Sequence, residues 1–239
     1  MKILALDSSG IVASVAVVED DTLLAEYTVN YKKTHSQTLL PMLDEIVKMT
    51  ELDLESVDAI AVAAGPGSFT GLRIGSATAK GLGLALKKPL VAVPTVDALA
   101  YNLYDARGLV CPVMDARRKQ VYTGIYKFEN HQLVTVKEQW AAPMEKLIEE
   151  LNERGETVIF LGDGVPVFRE MIQEKLKVPY SFAPAHLNKQ RAAAVAALGM
   201  IHYKEGRTET AEEHTPEYLR LSQAERERAE REKAQKTEK

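Results

Sequence analysis

A glycine-rich stretch between residues 58 and 93 constrains the fold of this chain more than any other part of its sequence. An apolar run at residues 59–64 predicts a buried strand. A Gly-Pro-Gly-Ser turn at residues 65–68, built from strong chain breakers, ends this strand. A helical pattern follows over about residues 70–86, so the stretch predicts a strand, a tight turn and a helix in succession.

One face of the predicted helix carries only small residues, which recur every four positions. Residues four apart lie on the same helix face, so this stripe is nearly bare backbone. Each glycine costs about 1 kcal/mol relative to alanine inside a helix, which indicates that another element approaches closely. That element is either the sheet of the same lobe or a helix of a partner chain, and the sequence leaves both open. The stripe consists of Gly71, Gly75, Ala79 and Gly83.

The glycine turn is compatible with phosphate binding but matches neither of two specific phosphate-binding templates. Backbone N–H groups at the start of a helix attract anions. The P-loop, however, requires a lysine after its last glycine, and no lysine follows Gly71. The dinucleotide fingerprint requires a third glycine at the position that Thr70 holds here.

Composition limits the classes of protein to which the chain can belong. Its 239 residues suffice for one large domain or two small lobes. A net charge of −4 provides no strongly basic field for unaided nucleic-acid binding. The single cysteine, Cys111, excludes an internal disulfide and fits a reducing compartment. No apolar run is long enough for a signal peptide or a membrane span, so we expect a cytoplasmic protein without a membrane partner.

The chain repeats one order of elements. Residues 1–105 and residues 106–221 each predict the order βββαβαβα, a repeat of pattern rather than of identical residues. The first predicted strand of each half ends in an acid, at Asp7 and Asp115. Residues 222–239 are almost wholly charged, and their only nonpolar side chains are alanines. Such a segment cannot bury a core, so we expect a solvated tail that is frayed or disordered.

Two copies of a three-strand, three-helix unit resemble the actin-like ATPase fold, so the predicted class is α/β with two such lobes. The resemblance implies that the first hairpin of each lobe cradles phosphates and that the acid ending the first strand handles metal or water. A role as turn or helix cap is the alternative for each aspartate, and both stay open. The implied vestigial nucleotide site comprises Asp7, Ser8, Ser9, Gly65, Gly67, Asp115, Gly162 and Gly164.

Five short motifs carry a narrower resemblance. They are ILALDSS, HSQTLLP, AGPGSFTGLRIG, PTVDAL and PEYLR, which begin at residues 3, 35, 64, 94 and 216. Together they are similar to the TsaB family, formerly YeaZ, whose members are short partners of the catalytic subunit TsaD. The resemblance implies a subunit that acts with TsaD and TsaE in threonylcarbamoyl transfer to N6 of the adenosine next to the tRNA anticodon. It also implies that this chain meets tRNA only through the complex.

The same resemblance implies that the chain is not itself an enzyme. TsaD binds its catalytic metal through a His-x-x-x-His pair on one helix face, and Thr95 and Leu99 hold the matching positions here. Leucine cannot ligate a metal and threonine is a poor ligand. The histidines never fall four residues apart; they are His35, His131, His186, His202 and His214. We therefore expect a pseudo-enzyme with no metal and no cofactor.

The partner surface is predicted on the first lobe. A helix over residues 35–50 offers more apolar side chains than one buried face needs, including Leu39, Met42, Leu43 and Ile46. Together with the small-residue stripe, these side chains form the predicted surface, on which TsaD and a second copy of this chain would compete. An active small-molecule kinase or ATPase of the actin-like fold is the alternative function. A metalloprotease is disfavoured because the sequence has no His-Glu-x-x-His helix.

Overall fold

The computed structural model describes residues 1–31 and 34–220. The charged tail predicted at 222–239 lies outside the described residues, so its expected state stays a prediction. In the described part of the chain, no helix combines the length and apolar character that crossing a membrane requires.

The first sheet has five strands in the spatial order β3-β2-β1-β4-β5. Its strands are β1 Lys2–Asp7, β2 Ala13–Glu19, β3 Thr22–Val29, β4 Ala59–Gly65 and β5 Leu90–Pro94. Strand β2 runs antiparallel to both β1 and β3, with Leu4 opposite Val17, whereas β1, β4 and β5 are mutually parallel. The central strands β1 and β4 are almost wholly buried, because helices cover both faces of a parallel sheet.

Two helices cover one face of the first sheet. They are α1 His35–Thr50 and α2 Phe69–Leu86, and a short 3-10 turn at Leu54–Ser56 follows α1. Ser68 caps α2, since its side chain accepts a hydrogen bond from the N–H of Gly71. The side chains of both helices share one apolar core with the sheet.

The second sheet repeats the topology of the first, in the order β10-β9-β6-β7-β8. Its strands are β6 Leu109–Asp115, β7 Gln120–Glu129, β8 Gln132–Pro143, β9 Val158–Leu161 and β10 Tyr180–Phe182. The strands β6, β7 and β8 are antiparallel, and β6, β9 and β10 are parallel. The repeated pattern requires β10, but the sequence alone assigned it no range, because three residues are too few for a periodicity.

The remaining helices divide between the two sheets. Helices α4 Met144–Arg154 and α5 Val165–Lys175 pack on the second sheet. Helix α6 Ala192–Lys204 comes late in the chain yet packs on the first sheet, where a Cβ on Gly199 would lie 2.7 Å from the Cβ of Ala61.

Helix α3 Thr95–Tyr101 lies between the two sheets. Its Ala98 belongs to the core around α6, whereas its Leu99 packs in a cluster with Val110 and Tyr126 of the second sheet. The two lobes are therefore joined at their base by the apolar side chains of α3, against which α6 packs. Two five-stranded α/β lobes of the same topology confirm the predicted actin-like ATPase fold.

Candidate ligand cleft and partner face

The two lobes enclose a cleft of about 520 Å³ at the ends of their first strands. From the predicted phosphate site, Ser9, Gly67 and Asp115 line this cleft. The cleft also exposes basic and aromatic side chains that sequence reasoning did not assign to it, namely Arg117, Arg118, Tyr122, Tyr218 and Arg220. The fold thus brings part of the predicted phosphate site together at one place.

The glycine turn after β4 is shaped by close approach of other backbone segments. Gly65 has a φ of +129°, and a Cβ there would overlap the carbonyl oxygen of Glu217. A Cβ on Gly67 would overlap the carbonyl oxygen of Ser9. Glycine is required at both positions because the chain's own backbone, from the hairpin after β1 and from residue 217, occupies the adjacent space.

Three N–H groups in and just after this turn are hydrogen-bonded within the chain. The Gly65 N–H donates to Oγ1 of Thr95 at 3.1 Å, and the Ser68 N–H donates to the carbonyl of Ser9 at 2.6 Å. The Gly71 N–H donates to Oγ of Ser68 at 3.3 Å. A phosphate would need unpaired N–H groups at this helix start, and these three are engaged elsewhere.

Asp7 is buried beneath the cleft and holds the turn after β1 through hydrogen bonds. It is 1% exposed, and its Oδ1 accepts hydrogen bonds from the N–H and the hydroxyl of Ser9, at 2.9 and 2.6 Å. Burial raises the pKa of Asp7 to about 6, and the bonds from Ser9 oppose that rise. Ser8 donates its hydroxyl to the carbonyl of Gly71 at 2.8 Å, which ties the hairpin to α2. These contacts fit the turn-capping role left open for Asp7.

In the second lobe, the corresponding glycine turn at residues 162–164 is also hydrogen-bonded within the chain. The N–H of Gly162 donates to the carbonyl of Asn188, and the N–H of Gly164 donates to that of Val113, both at 2.9 Å. Asp115 accepts from the N–H of Arg117 at 2.8 Å. Both glycines of the predicted second phosphate turn therefore donate to backbone carbonyls of their own lobe.

Buried carboxyl groups predict a specific pH dependence of stability. Burial raises the pKa of both Asp7 and Asp97 to about 6, from an ordinary value of about 4. Between these two pH values the folded state holds more protons than the unfolded state. The contribution of the two carboxyl groups to the free energy of unfolding is therefore fully present below pH ~4 and is lost as pH rises through ~6. We expect Asp7→Asn, which can still accept from Ser9, to be more stable than the parent at pH 7 by up to about 3 kcal/mol.

Urea unfolding at pH values from 4 to 7 measures this effect. The Asn variant should show a shallower decline than the parent, because one of the buried carboxyl groups with a raised pKa no longer titrates, while Asp97 and Asp163 still do. Asp21→Asn, on the exposed turn between β2 and β3, is the matched control and should follow the parent curve. Equal stabilities of parent and Asp7→Asn at pH 7 would contradict the prediction.

Thr95 and Leu99, the two positions predicted to replace a metal-ligand pair, make structural contacts in this protein. Thr95 is fully buried and holds the Gly65 turn through the hydrogen bond described above. Leu99 is 1% exposed and packs in the apolar cluster between α3 and the second sheet. Across residues 1–31 and 34–220, His, Cys, Asp and Glu side chains form no group of three or more suited to a metal ion.

The structure corrects the predicted placement of the partner surface. The stripe on α2 faces inward: a Cβ on Gly75 would lie 2.5 Å from Oγ of Ser8, and one on Gly83 would lie 2.9 Å from Cδ2 of Leu90. A Cβ on Gly71 would overlap the carbonyl of Ser8. The remaining predicted residues are buried in the same core, namely Leu39, Met42, Leu43, Ile46 and Ala79. The expectation of an exposed patch at these residues was wrong, because the chain's own sheet already covers them.

A second line of small residues occupies the outer face of α2. Ala77, Gly81 and Ala85 are exposed and fall four apart, and a Cβ on Gly81 would meet no atom within 4 Å. Leu84 on the same helix is 60% exposed, and Leu40 on the neighbouring helix α1 is 54% exposed. The sequence contains the signal for this face: small residues recur every four positions here too, each two positions after a residue of the inner stripe.

The fold and the cleft define the class of protein: it is a two-lobed actin-like α/β protein. N–H groups of its glycine turns at residues 65–68 and 162–164 donate hydrogen bonds within the chain. The family model described as "TsaD: tRNA N6-adenosine threonylcarbamoyltransferase" matches residues 22–228. Among curated proteins, the tRNA threonylcarbamoyladenosine biosynthesis protein TsaB of Bacillus subtilis is 36% identical, over 94% of this chain and 96% of its own length. The TsaB of Escherichia coli is 30% identical, over 92% and 95%.

A solved structure agrees with the sequence relatives. YeaZ from Pseudomonas aeruginosa superposes with a TM-score of 0.75 at 26% identity, covering 91% of this chain and 99% of that one. The chain belongs to the TsaB (YeaZ) family of tRNA threonylcarbamoyladenosine biosynthesis proteins. The resemblance inferred from five sequence motifs is thereby confirmed.

Proposed function

We propose that this protein is a non-catalytic subunit in the cytoplasm that supports TsaD, together with TsaE, in threonylcarbamoyl transfer to N6 of the adenosine next to the tRNA anticodon. The observation that carries the proposal is that three N–H groups of the two glycine turns are used within the chain. Those of Gly65, Ser68 and Gly164 all donate to acceptors of the same chain. The TsaB names of the relatives support the pathway.

The side chains at the ligand positions of TsaD support the absence of catalysis. Thr95 and Leu99 are buried and hold the turn and the core, so neither can turn toward a metal without leaving its present contacts. A metal-assisted transfer needs nitrogen or oxygen ligands at fixed positions, which leucine cannot provide. We propose that TsaD carries out the transfer reaction and that this chain provides a surface to which TsaD binds.

We propose that this surface is the outer face of α1 and α2. The exposed small residues Ala77, Gly81 and Ala85 allow another helix to approach the α2 backbone closely. The exposed side chains Leu84 and Leu40 add apolar area at the same two helices. A homodimer of the isolated chain would use the same face and would compete with TsaD for it.

The net charge of −4 supports contact with tRNA only through the assembled complex. Reconstitution with TsaD, TsaE, tRNA and the threonylcarbamoyl-adenylate donor tests the division of labour. Modified tRNA should form only when both this chain and TsaD are present. If this chain modified tRNA without TsaD, the non-catalytic assignment would be wrong. If it released phosphate from ATP with a small-molecule acceptor, the kinase alternative would be favoured.

The variant Gly81→Arg tests the partner surface. Its side chain would project into open space, so the fold should survive, but a helix could no longer approach α2. We expect affinity for TsaD to fall about 100-fold or more, as for a change at the centre of an interface. Calorimetric titration with TsaD measures the affinity, and circular dichroism checks the fold.

Two control variants accompany Gly81→Arg. Gly81→Ala adds only a methyl group, favours the helix and should lower the affinity much less. Gln173→Arg places the same charge on an exposed position of α5 in the other lobe and should bind TsaD normally. Wild-type affinity of a folded Gly81→Arg variant would place the interface elsewhere.

A further inference from the structure

The motif PEYLR at residues 216–220 crosses the mouth of the cleft, and the proposed function does not use it. We propose that this segment is a strap that clasps the two lobes and controls how far the cleft can open. The proposal concerns the isolated chain and does not depend on its partners. It rests on contacts that three of these residues, Glu217, Tyr218 and Arg220, make with the two lobes.

The strap is anchored to the first lobe through its backbone and an aromatic ring. The N–H of Glu217 donates to the carbonyl of Ala64 at 2.7 Å, beside the end of β4. The ring of Tyr218 packs against the ring of Phe69 at the start of α2, with centroids 4.5 Å apart. Nε of Arg73 donates to the Tyr218 hydroxyl at 3.3 Å. The glycine at position 65 is required partly because the strap backbone lies against it.

The same segment reaches the second lobe through two side chains. Nη1 of Arg220 donates to the carbonyl of Ala116, in the loop after β6, at 2.7 Å. Nε2 of Gln139 on β8 donates to Oε2 of Glu217 at 2.9 Å. Three residues of the strap, Glu217, Tyr218 and Arg220, therefore hold contacts that lie on both sides of the cleft.

The position of the strap decides what its contacts can control. The lobes meet at their base through the apolar side chains of α3, which are buried and allow little separation. At the cleft, by contrast, the strap's cross-lobe contacts are polar and belong to partly exposed residues. Rotation of one lobe against the other must break the bonds of Arg220 and Glu217 to the second lobe, or the contacts of Glu217 and Tyr218 with the first lobe. Release of the strap is thus the step that lets the cleft open.

Distance measurement between two spin labels tests the strap in the full-length chain. Ile11 and Val167 line the cleft from opposite lobes and are 54% and 60% exposed, so Cys replacements there accept nitroxide labels. The native Cys111 is buried, and burial raises its thiol pKa to about 12, so it should stay unlabelled. Electron double resonance on the otherwise unchanged protein should give one narrow distance distribution.

The combined variant Tyr218→Ala and Arg220→Ala removes one anchor on each lobe. We expect a longer mean distance and a broader distribution. The matched control, Tyr31→Ala with Arg207→Ala, removes an exposed tyrosine and an exposed arginine that pairs only with Glu205 among the described contacts, and should leave the distribution unchanged.

Two outcomes would overturn the proposal. One is an unchanged distribution in the combined variant when circular dichroism shows a native fold. The other is an equal broadening in the matched control. If the combined variant fails to fold, Arg220→Ala alone decides, because the one side-chain hydrogen bond of Arg220 within residues 1–31 and 34–220 is to the Ala116 carbonyl, and Arg220 belongs to no apolar core cluster. Broadening in that single variant supports the strap, and an unchanged distribution refutes it.

Discussion

Gly75→Arg is expected to unfold the first lobe. Gly75 lies on the inward face of α2, where even a methyl group would come within 2.5 Å of Oγ of Ser8 and 3.7 Å of Val62. An arginine there would bury a charge without a partner and push α2 away from the sheet. Both effects belong to the most destabilising mechanisms known for single substitutions, so we expect a loss of more than about 4 kcal/mol.

Gly81→Arg makes the same substitution six residues later on the same helix and is the control. Its side chain would enter open space, so the melting temperature should stay within a few degrees of the parent. For Gly75→Arg we expect a melting temperature lower by about 10 °C or more, or no soluble protein. Calorimetry of both variants measures the difference. Equal melting temperatures would show that the inner stripe does not pack on its own sheet.

Introducing a His-x-x-x-His pair at residues 95 and 99 is expected to damage this protein rather than to create a metal site. Thr95→His removes the acceptor of the Gly65 N–H, and Leu99→His places an imidazole among apolar side chains such as Val110. Loss of a buried hydrogen bond and burial of an unpaired polar group should together cost about 3–5 kcal/mol. The two imidazoles would project from α3 into packed core, where a metal has no room.

Thermal unfolding and elemental analysis after incubation with zinc or iron measure this outcome. The double variant should melt well below the parent and retain less than one metal per chain. Tyr104→His, at a 53% exposed position just beyond α3, is the control for the mere presence of an added histidine. A stable double variant that holds one metal per chain would show that the site had remained intact apart from its ligands.

The glycines of this region differ in what surrounds them. Gly65 and Gly67 are needed because the strap and the first hairpin lie against the turn, whereas Gly81 faces open space. In a phosphate-binding turn, glycine would serve the approach of a ligand. Here the neighbours that require glycine belong to the same chain, which is why a glycine motif alone could not demonstrate a phosphate site.

Local patterns in the sequence predicted most of the elements. The strand expected at 59–64 is β4 at Ala59–Gly65, and the helix expected at 70–86 is α2 at Phe69–Leu86. Apolar periodicity and chain breakers act over a few residues, so a sequence reveals them directly. The doubled order of elements, together with the motifs, was enough to predict both the fold and the family.

Contacts between distant segments could not be predicted in this way. The apolar character of α6 indicates burial, but it does not say that this helix, from the second half of the chain, packs on the first sheet. The motif PEYLR was recognised as a family feature, yet its contacts with Ala64 and Ala116 depend on how the chain returns to the cleft. Such contacts join residues more than 100 positions apart, and no local pattern encodes them.

Helix α2 separates the two kinds of information most clearly. By itself, the sequence determined that small residues recur every four positions, along one line through Gly75 and along a second line through Gly81. Only the tertiary structure decided that the first line packs on Ser8 and Val62 while the second faces outward. The reason is that helical spacing defines which residues share a face, whereas the direction of that face depends on the sheet against which the whole helix packs.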